Sequence, residues 1–265
     1  MITIHDELMR YKGNFKSNHK KRIRPSEETK TVKKEDIENE MSLSNPGTED
    51  YPGIITGKIG CAVGVKALRY CFMSLLDDFT DSHFTGRLMK IVTEIYQRDF
   101  EGLTGKKSIF FSKEKAYLAT VVFNNRERTS EILSYKFECS HCDSRDKATL
   151  VLSELRISFS LIPKGATHYR VLNHLSIISD YVYSEINQRF EPLSLLNTLS
   201  AVAFSKYIPV GVPLTDEIVV SLPVNDDLPD NVSVIQCVGI VYYTKSGLEN
   251  FIINRGSSVM VYEVF

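Results

Sequence analysis

The chain has 265 residues, 43% hydrophobic and 25% charged, enough for one large core or two modest ones. Its formal net charge is -1, so the molecule as a whole has no strong pull toward nucleic acid or an anionic membrane. No run approaches the roughly 20 apolar residues that a membrane span needs, so no membrane partner is expected.

The first residues, MITIHDELMRYKGNF, place charges where a signal peptide needs an unbroken apolar core, and a cytoplasmic location is expected. Residues 1–50 read as a charged, poorly packed arm. Arg10 to Lys34 holds ten Lys or Arg against two Glu, a balance of +8; the next sixteen residues carry six acids, a balance of -6. So little apolar surface cannot offset the entropy of ordering such a segment. Lys20, Lys21, Arg22 and Arg24 are the candidate phosphate contacts, and through them nucleic acid is a candidate partner. The acidic stretch beside them argues instead for an arm that neutralises itself or wraps a partner.

Residues 51–126 read as a glycine-rich entry and a helical hairpin. Gly57, Gly60 and Gly64 precede the helices, but their spacing matches neither the dinucleotide nor the triphosphate loop, and a flexible or tightly turning entry is expected. Val65, Leu68, Cys71, Phe72, Leu75, Leu76 and Phe79 recur on one helical face. After a break at Thr80–Ser82, Phe84, Leu88, Ile91, Val92 and Ile95 do the same. Asp81 or Ser82 suits the cap of the second helix, and Asp77, Asp78 and Asp81 are explained by helix ends without a metal. Tyr117 to Phe123 has strand composition, although Phe110 to Ala119 would also make a helical turn.

From about residue 131 the period changes to two. Ile132–Cys139, Thr149–Ser153, Leu155–Ile162, His168–Leu172, Ser176–Ile178, Tyr181–Ile186, Ser200–Phe204, Ile218–Leu222, Val232–Tyr243, Asn250–Ile253 and Ser258–Val264 read as strands between polar turns. Pro192 interrupts the series, which suggests a first β unit over 127–192 and a second over 193–265, with a helical turn crossing at Leu193–Leu199. The expected fold class is α+β: charged arm, helical hairpin, then an antiparallel sandwich-like body.

Cys139, His141 and Cys142 form the most chemically loaded cluster. As a zinc half-site, with His141 between them, Cys139 and Cys142 would supply two thiolates, but a tetrahedral site needs two further ligands, and Cys61, Cys71 and Cys237 are isolated. A redox dithiol would want a helix start, whereas this pair follows a strand. An ordinary hairpin loop explains it, and five cysteines without a framework fit a reducing compartment. His168 has Asp180 and Glu185 as formal acid–base partners, but nothing in the sequence brings them together.

The string Arg69-x-x-Phe72-x-x-Leu75-x5-Asp81-x5-Arg87-Leu88, with Ile91, Asp99 and Gly105-Lys106, resembles the helical segment of a family of uncharacterised bacterial proteins. Pro163-x-Gly165-Ala166-Thr167-His168-Tyr169-Arg170 and Gly239-Ile240-x-Tyr242-Tyr243 with Gly247, Gly256 and Val261 resemble later parts of the same chains. The resemblance spans roughly residues 60–265. It implies a helical segment followed by a β-rich body, and brings no activity, cofactor or site residue. The sequence is therefore expected to encode a non-enzymatic structural or protein-interaction protein that self-associates or binds another protein. The alternatives are a nucleic-acid-binding or particle-forming protein acting through the arm, and a zinc or redox protein using Cys139 and Cys142.

Overall fold

The computed structural model describes residues 51–125, 128–133, 137–224, 227–247 and 249–265. The charged arm, with Lys20, Lys21, Arg22 and Arg24, lies outside the described residues. The rest combines a few helices with antiparallel sheets, an α+β arrangement.

Helix α1 covers Tyr51–Cys71, a 3-10 turn Met73–Leu75, α2 Leu76–Phe79, α3 Phe84–Gln97, α4 Lys115–Leu118 and α5 Thr129–Leu133. The glycine-rich stretch 51–64 is thus not a turning entry but the first half of a 21-residue helix. Four glycines weaken a helix by about 1 kcal/mol each relative to Ala. Here Gly53, Gly57, Gly60 and Gly64 fall on one face, and three of them let the neighbours come close. A Cβ at Gly57 would stand 2.7 Å from the Tyr96 hydroxyl, at Gly60 2.5 Å from the Phe190 ring, and at Gly64 2.9 Å from Val92 Cγ1. Tertiary packing overrides propensity.

The expected first helix does not run straight to Phe79. It breaks at Phe72, and the segments on either side are bent by 64°. Beyond the turn, α3 buries Phe84, Leu88, Ile91, Val92 and Ile95 as its periodicity predicts. Asp81 accepts the His83 amide at 2.8 Å and pairs with Arg87 at 3.0 Å. It therefore anchors the turn two residues ahead of His83, the residue at the cap position. No single helix among the described residues is long and apolar enough to cross a membrane.

The strands are β1 Phe137–His141, β2 Lys147–Leu155, β3 His168–Ser179, β4 Tyr181–Ser184, β5 Arg189–Pro192, β6 Ser200–Phe204, β7 Ile208–Pro209, β8 Leu214–Ser221, β9 Val232–Ser246 and β10 Glu249–Val264. One sheet runs β10-β9-β3-β6, with β7 also on β3; a second runs β1-β2-β8; β4 and β5 form a hairpin. A division at Pro192 does not follow the sheets. Strand β3 lies between β9 and β6, and β2 pairs with β8. The proline closes the short β4–β5 ladder opposite Tyr181, and the chain then re-enters the sheet it had left.

Three other sequence expectations change. Ile132 and Leu133 belong to α5 rather than to a strand. After Leu155 the chain leaves its ladder, and Phe159–Leu161 is a 3-10 turn instead of strand. Residues 193–199 make turns in place of a helical crossing, with the Ile177 amide bonded to Leu199 O.

Alternation assigns the two faces of the larger sheet. Leu172, Ile178, Ile235, Cys237 and Val241 join the core under α1 and α3. Val171, Val238, Ile240 and Tyr242 pack with Leu150, Leu152 and Ile218 of the smaller sheet. Between the sheets, Asn173 donates from Nδ2 to Ala148 O at 3.2 Å and Ile218 O at 3.0 Å, and accepts from Gln236 Nε2 at 2.9 Å. One fully buried amide thereby ties both sheets together.

Candidate functional site

A concave surface lies along the glycine face of α1. A cavity of about 680 Å³ lies between α1 and α3, beside the point where Tyr96 packs on Gly57. Gly53, Ile54, Gly57 and Cys61 of α1 and Met89 and Tyr96 of α3 form its walls. The segment Thr104–Lys107 closes one end. That segment is held by Asp99, whose carboxylate accepts the amides of Glu101 at 3.2 Å, Gly102 at 3.0 Å and Ser108 at 2.6 Å. Burial pushes the Asp99 pKa up, but these amides outweigh it and hold the carboxyl below its usual range. Gly105, at a φ of +82°, comes so near α1 that a Cβ would stand 2.5 Å from Gly53 O. The positive φ and the close approach both call for glycine there.

Lys58 and Lys107 stand at this cavity. Among the described residues neither forms an ion pair, whereas neighbouring Lys106 is committed to Glu185 at 2.7 Å. Tyr96 presents its ring to the cavity, while its hydroxyl is buried without a well-formed hydrogen bond. Burial raises the phenol's pKa, and the nearby Lys107 and Gly105 amides counter it.

A second polar cluster lies deeper, between α1 and the large sheet. His174 of β3 is directly opposite Cys237 of β9, with Ser176 two residues on and Cys71 of α1 above them. His174 is fully buried and neither ring nitrogen has a hydrogen-bond partner. Burial pushes its pKa down to about 4, the Cys71 main chain countering only in part. Burial likewise raises the Cys71 thiol to about 12, and the thiol donates to Ile177 O at 3.2 Å. A neutral imidazole and a protonated thiol, both sealed from solvent, have the character of core groups rather than of a base and a nucleophile.

The residues singled out in the sequence do not converge. Cys139 is half-buried, and burial with the Glu263 charge raises its thiol to about 12. The His141 ring stacks on Phe265 at 3.9 Å between centroids. Cys142 Sγ donates to Asp146 Oδ1 at 3.0 Å, and Ser144 also donates to that oxygen. Among the described residues no three His, Cys, Asp or Glu side chains meet as a metal-binding group. His168 bonds Thr167 Oγ1 at 3.0 Å, at the opposite end of β3 from Asp180. Asp180 instead accepts the Ser112 amide and hydroxyl at 2.7 and 2.6 Å, and Glu185 pairs with Lys106.

The cavity was open to sequence reasoning through one signal. Gly53, Gly57, Gly60 and Gly64 recur at four, three and four residues, the spacing of a helix face. Read as a face rather than as a loop, they imply a close helix crossing. No family model, curated protein or solved structure matches the chain.

Proposed function

We propose that the protein is a non-enzymatic structural or interaction protein that self-associates, with α1 of one copy packing on α1 of another. The observation that carries this reading is the outer ridge of α1. Ile55 and Ile59 are 51% and 54% exposed, and Ala62, Lys66 and Tyr70 continue the ridge at three- and four-residue steps. That spacing is the seam of a helix that packs lengthwise on another helix. The opposite side of α1 is already occupied by α3 and the large sheet, and among the described residues no element covers the ridge.

A second copy suits it on two grounds. An antiparallel, two-fold pairing centred near Ala62 sets Ile59 beside Lys66 and Ile55 beside Tyr70, with a small residue at the closest approach. The Lys66 stem covers apolar surface while its ammonium reaches water, as it already leans over the Tyr70 ring at 5.8 Å. A net charge of -1 adds almost no repulsion between copies.

The test is light scattering on the full chain from nanomolar to tens of micromolar. Wild type is expected to form dimers that dissociate on dilution, and Ile59→Glu to remain monomeric with unchanged circular dichroism. A wild-type monomer over the whole range overturns the reading.

A further inference from the structure

We propose that the cavity between α1 and α3 binds the alkyl chain of a soluble long-chain carboxylate, with Lys58 and Lys107 receiving its head group. This goes beyond self-association, which uses the neighbouring ridge of α1. The volume, about 680 Å³, lies inside the roughly 300–1,000 Å³ typical of small-molecule sites. The walls are largely apolar, with glycine, Ile54, Cys61, Met89 and Tyr96 among the lining residues. Water in such a space has few partners, and an alkyl chain displaces it favourably.

Charge selects the head group. Two described carboxylates of the surrounding segments are engaged elsewhere: Asp99 by three backbone amides and Glu185 by Lys106. Lys58 and Lys107 are left, among the described residues, as two cations without an ion-pair partner beside one apolar hollow. A fully apolar ligand would leave them unused, and a small polar anion would leave the walls wet. A molecule with one apolar tail and one anionic end satisfies both. The cavity wall is also fixed in advance. Asp99 pins the 104–107 segment, and Gly105 is seated against Gly53, so little ordering remains for binding to oppose.

The experiment is calorimetric titration of the full chain with dodecanoate below its micellar concentration, alongside dodecanol and vesicles of anionic or neutral phospholipid. Wild type is expected to bind one dodecanoate per chain, at least tenfold more tightly than dodecanol. The double variant Lys58→Glu/Lys107→Glu, at one exposed and one half-buried position, should lose that tenfold preference for the acid and keep its affinity for the alcohol. Thr93 of α3 also lines the cavity; Thr93→Phe should weaken both ligands, whereas Ile59→Glu should still bind dodecanoate at least tenfold more tightly than dodecanol and so separates this site from the ridge. No binding of dodecanoate, equal binding of acid and alcohol by wild type, or binding of anionic vesicles alone would each overturn the proposal.

Discussion

His174 makes the stability of this protein depend on pH in a way its net charge does not suggest. The ring is fully buried, has no hydrogen-bond partner and holds a pKa of about 4 against 6.5 in the unfolded chain. Its folded pKa is lowered, so between these values the unfolded state binds the extra proton. The contribution to stability is complete above pH 6.5 and is lost as the pH falls toward 4. From pH 7 to pH 5 the loss amounts to about 2 kcal/mol, a large part of an ordinary domain's margin.

Other groups titrate in the acid range, and the comparison must isolate the histidine. Burial raises the pKa of Asp180, and of Asp78 together with the Asp77 charge. Their folded pKa values lie above the unfolded ones, so they add stability as the pH falls. The groups facing His174 are Cys71, Cys237, Ser176 and Phe72, none of them charged near neutrality. His174→Leu removes the titrating ring and two unsatisfied nitrogens while keeping an apolar body against Phe72. At pH 7 its stability should fall within about 1 kcal/mol of wild type, lost contacts being offset by relieved polar burial. Urea unfolding at pH 5, 6 and 7 is the assay. Wild type should lose about 2 kcal/mol more than the variant between pH 7 and 5. Parallel losses in the two proteins, or a His174 resonance titrating near pH 6.5, would refute the reasoning.

In alkali the sign reverses. The Cys71, Cys139 and Tyr169 values are each raised by burial to about 12, so stability present below pH 9 should decline through pH 9–12 in thermal melts. Two glycine-to-alanine changes should move stability in opposite directions. Gly64→Ala pushes a methyl against Val92 and should cost about 1–3 kcal/mol by denaturant titration, whereas exposed Gly86, with open space around it, should gain about 0.5–1 kcal/mol. Asn173→Leu removes both donors to Ala148 O and Ile218 O and should lower stability by about 2–4 kcal/mol in the same assay.

The α3 stripe was fully legible, because five apolar residues at three- and four-residue spacing admit one burial pattern. So were most strands, whose alternation survives in the register of β3 with β9. What was not legible depended on neighbours distant in sequence. Propensity at 51–64 reads as a loop, and only the fit of Tyr96, Phe190 and Val92 against bare glycine makes it helix. Leu155–Ile162 alternates like a strand, yet Glu154, at a φ of +55°, sits in a register shift between Leu152 and Leu155, and the chain leaves the ladder after Leu155. Cys139, His141 and Cys142 share a short stretch of sequence but have separate surroundings: Glu263 acts on the first, Phe265 on the second and Asp146 on the third. His174 drew no notice because it falls between the expected strands His168–Leu172 and Ser176–Ile178, which the structure joins into β3.

The two faces of α1 bear on one another energetically. Its glycines leave it about 4 kcal/mol short of an alanine helix. Buried Val65, Ala67, Leu68 and Cys71 hold its second half, while within the first half contact is made through Tyr96, Phe190 and Gly105. The first half also carries Ile55 and Ile59 on the ridge and Ile54, Gly57 and Lys58 on the cavity. A ligand in the cavity adds contacts to the very turns that present the ridge. By linkage, an occupant whose contacts favour the arrangement of α1 that pairs strengthens ridge pairing by the same factor that pairing strengthens its binding. Dodecanoate should therefore shift the dimerisation curve of wild type toward lower protein concentration, and about tenfold more dodecanoate should be needed for the same shift in Lys58→Glu/Lys107→Glu. A curve indifferent to saturating dodecanoate would show that the faces are energetically independent.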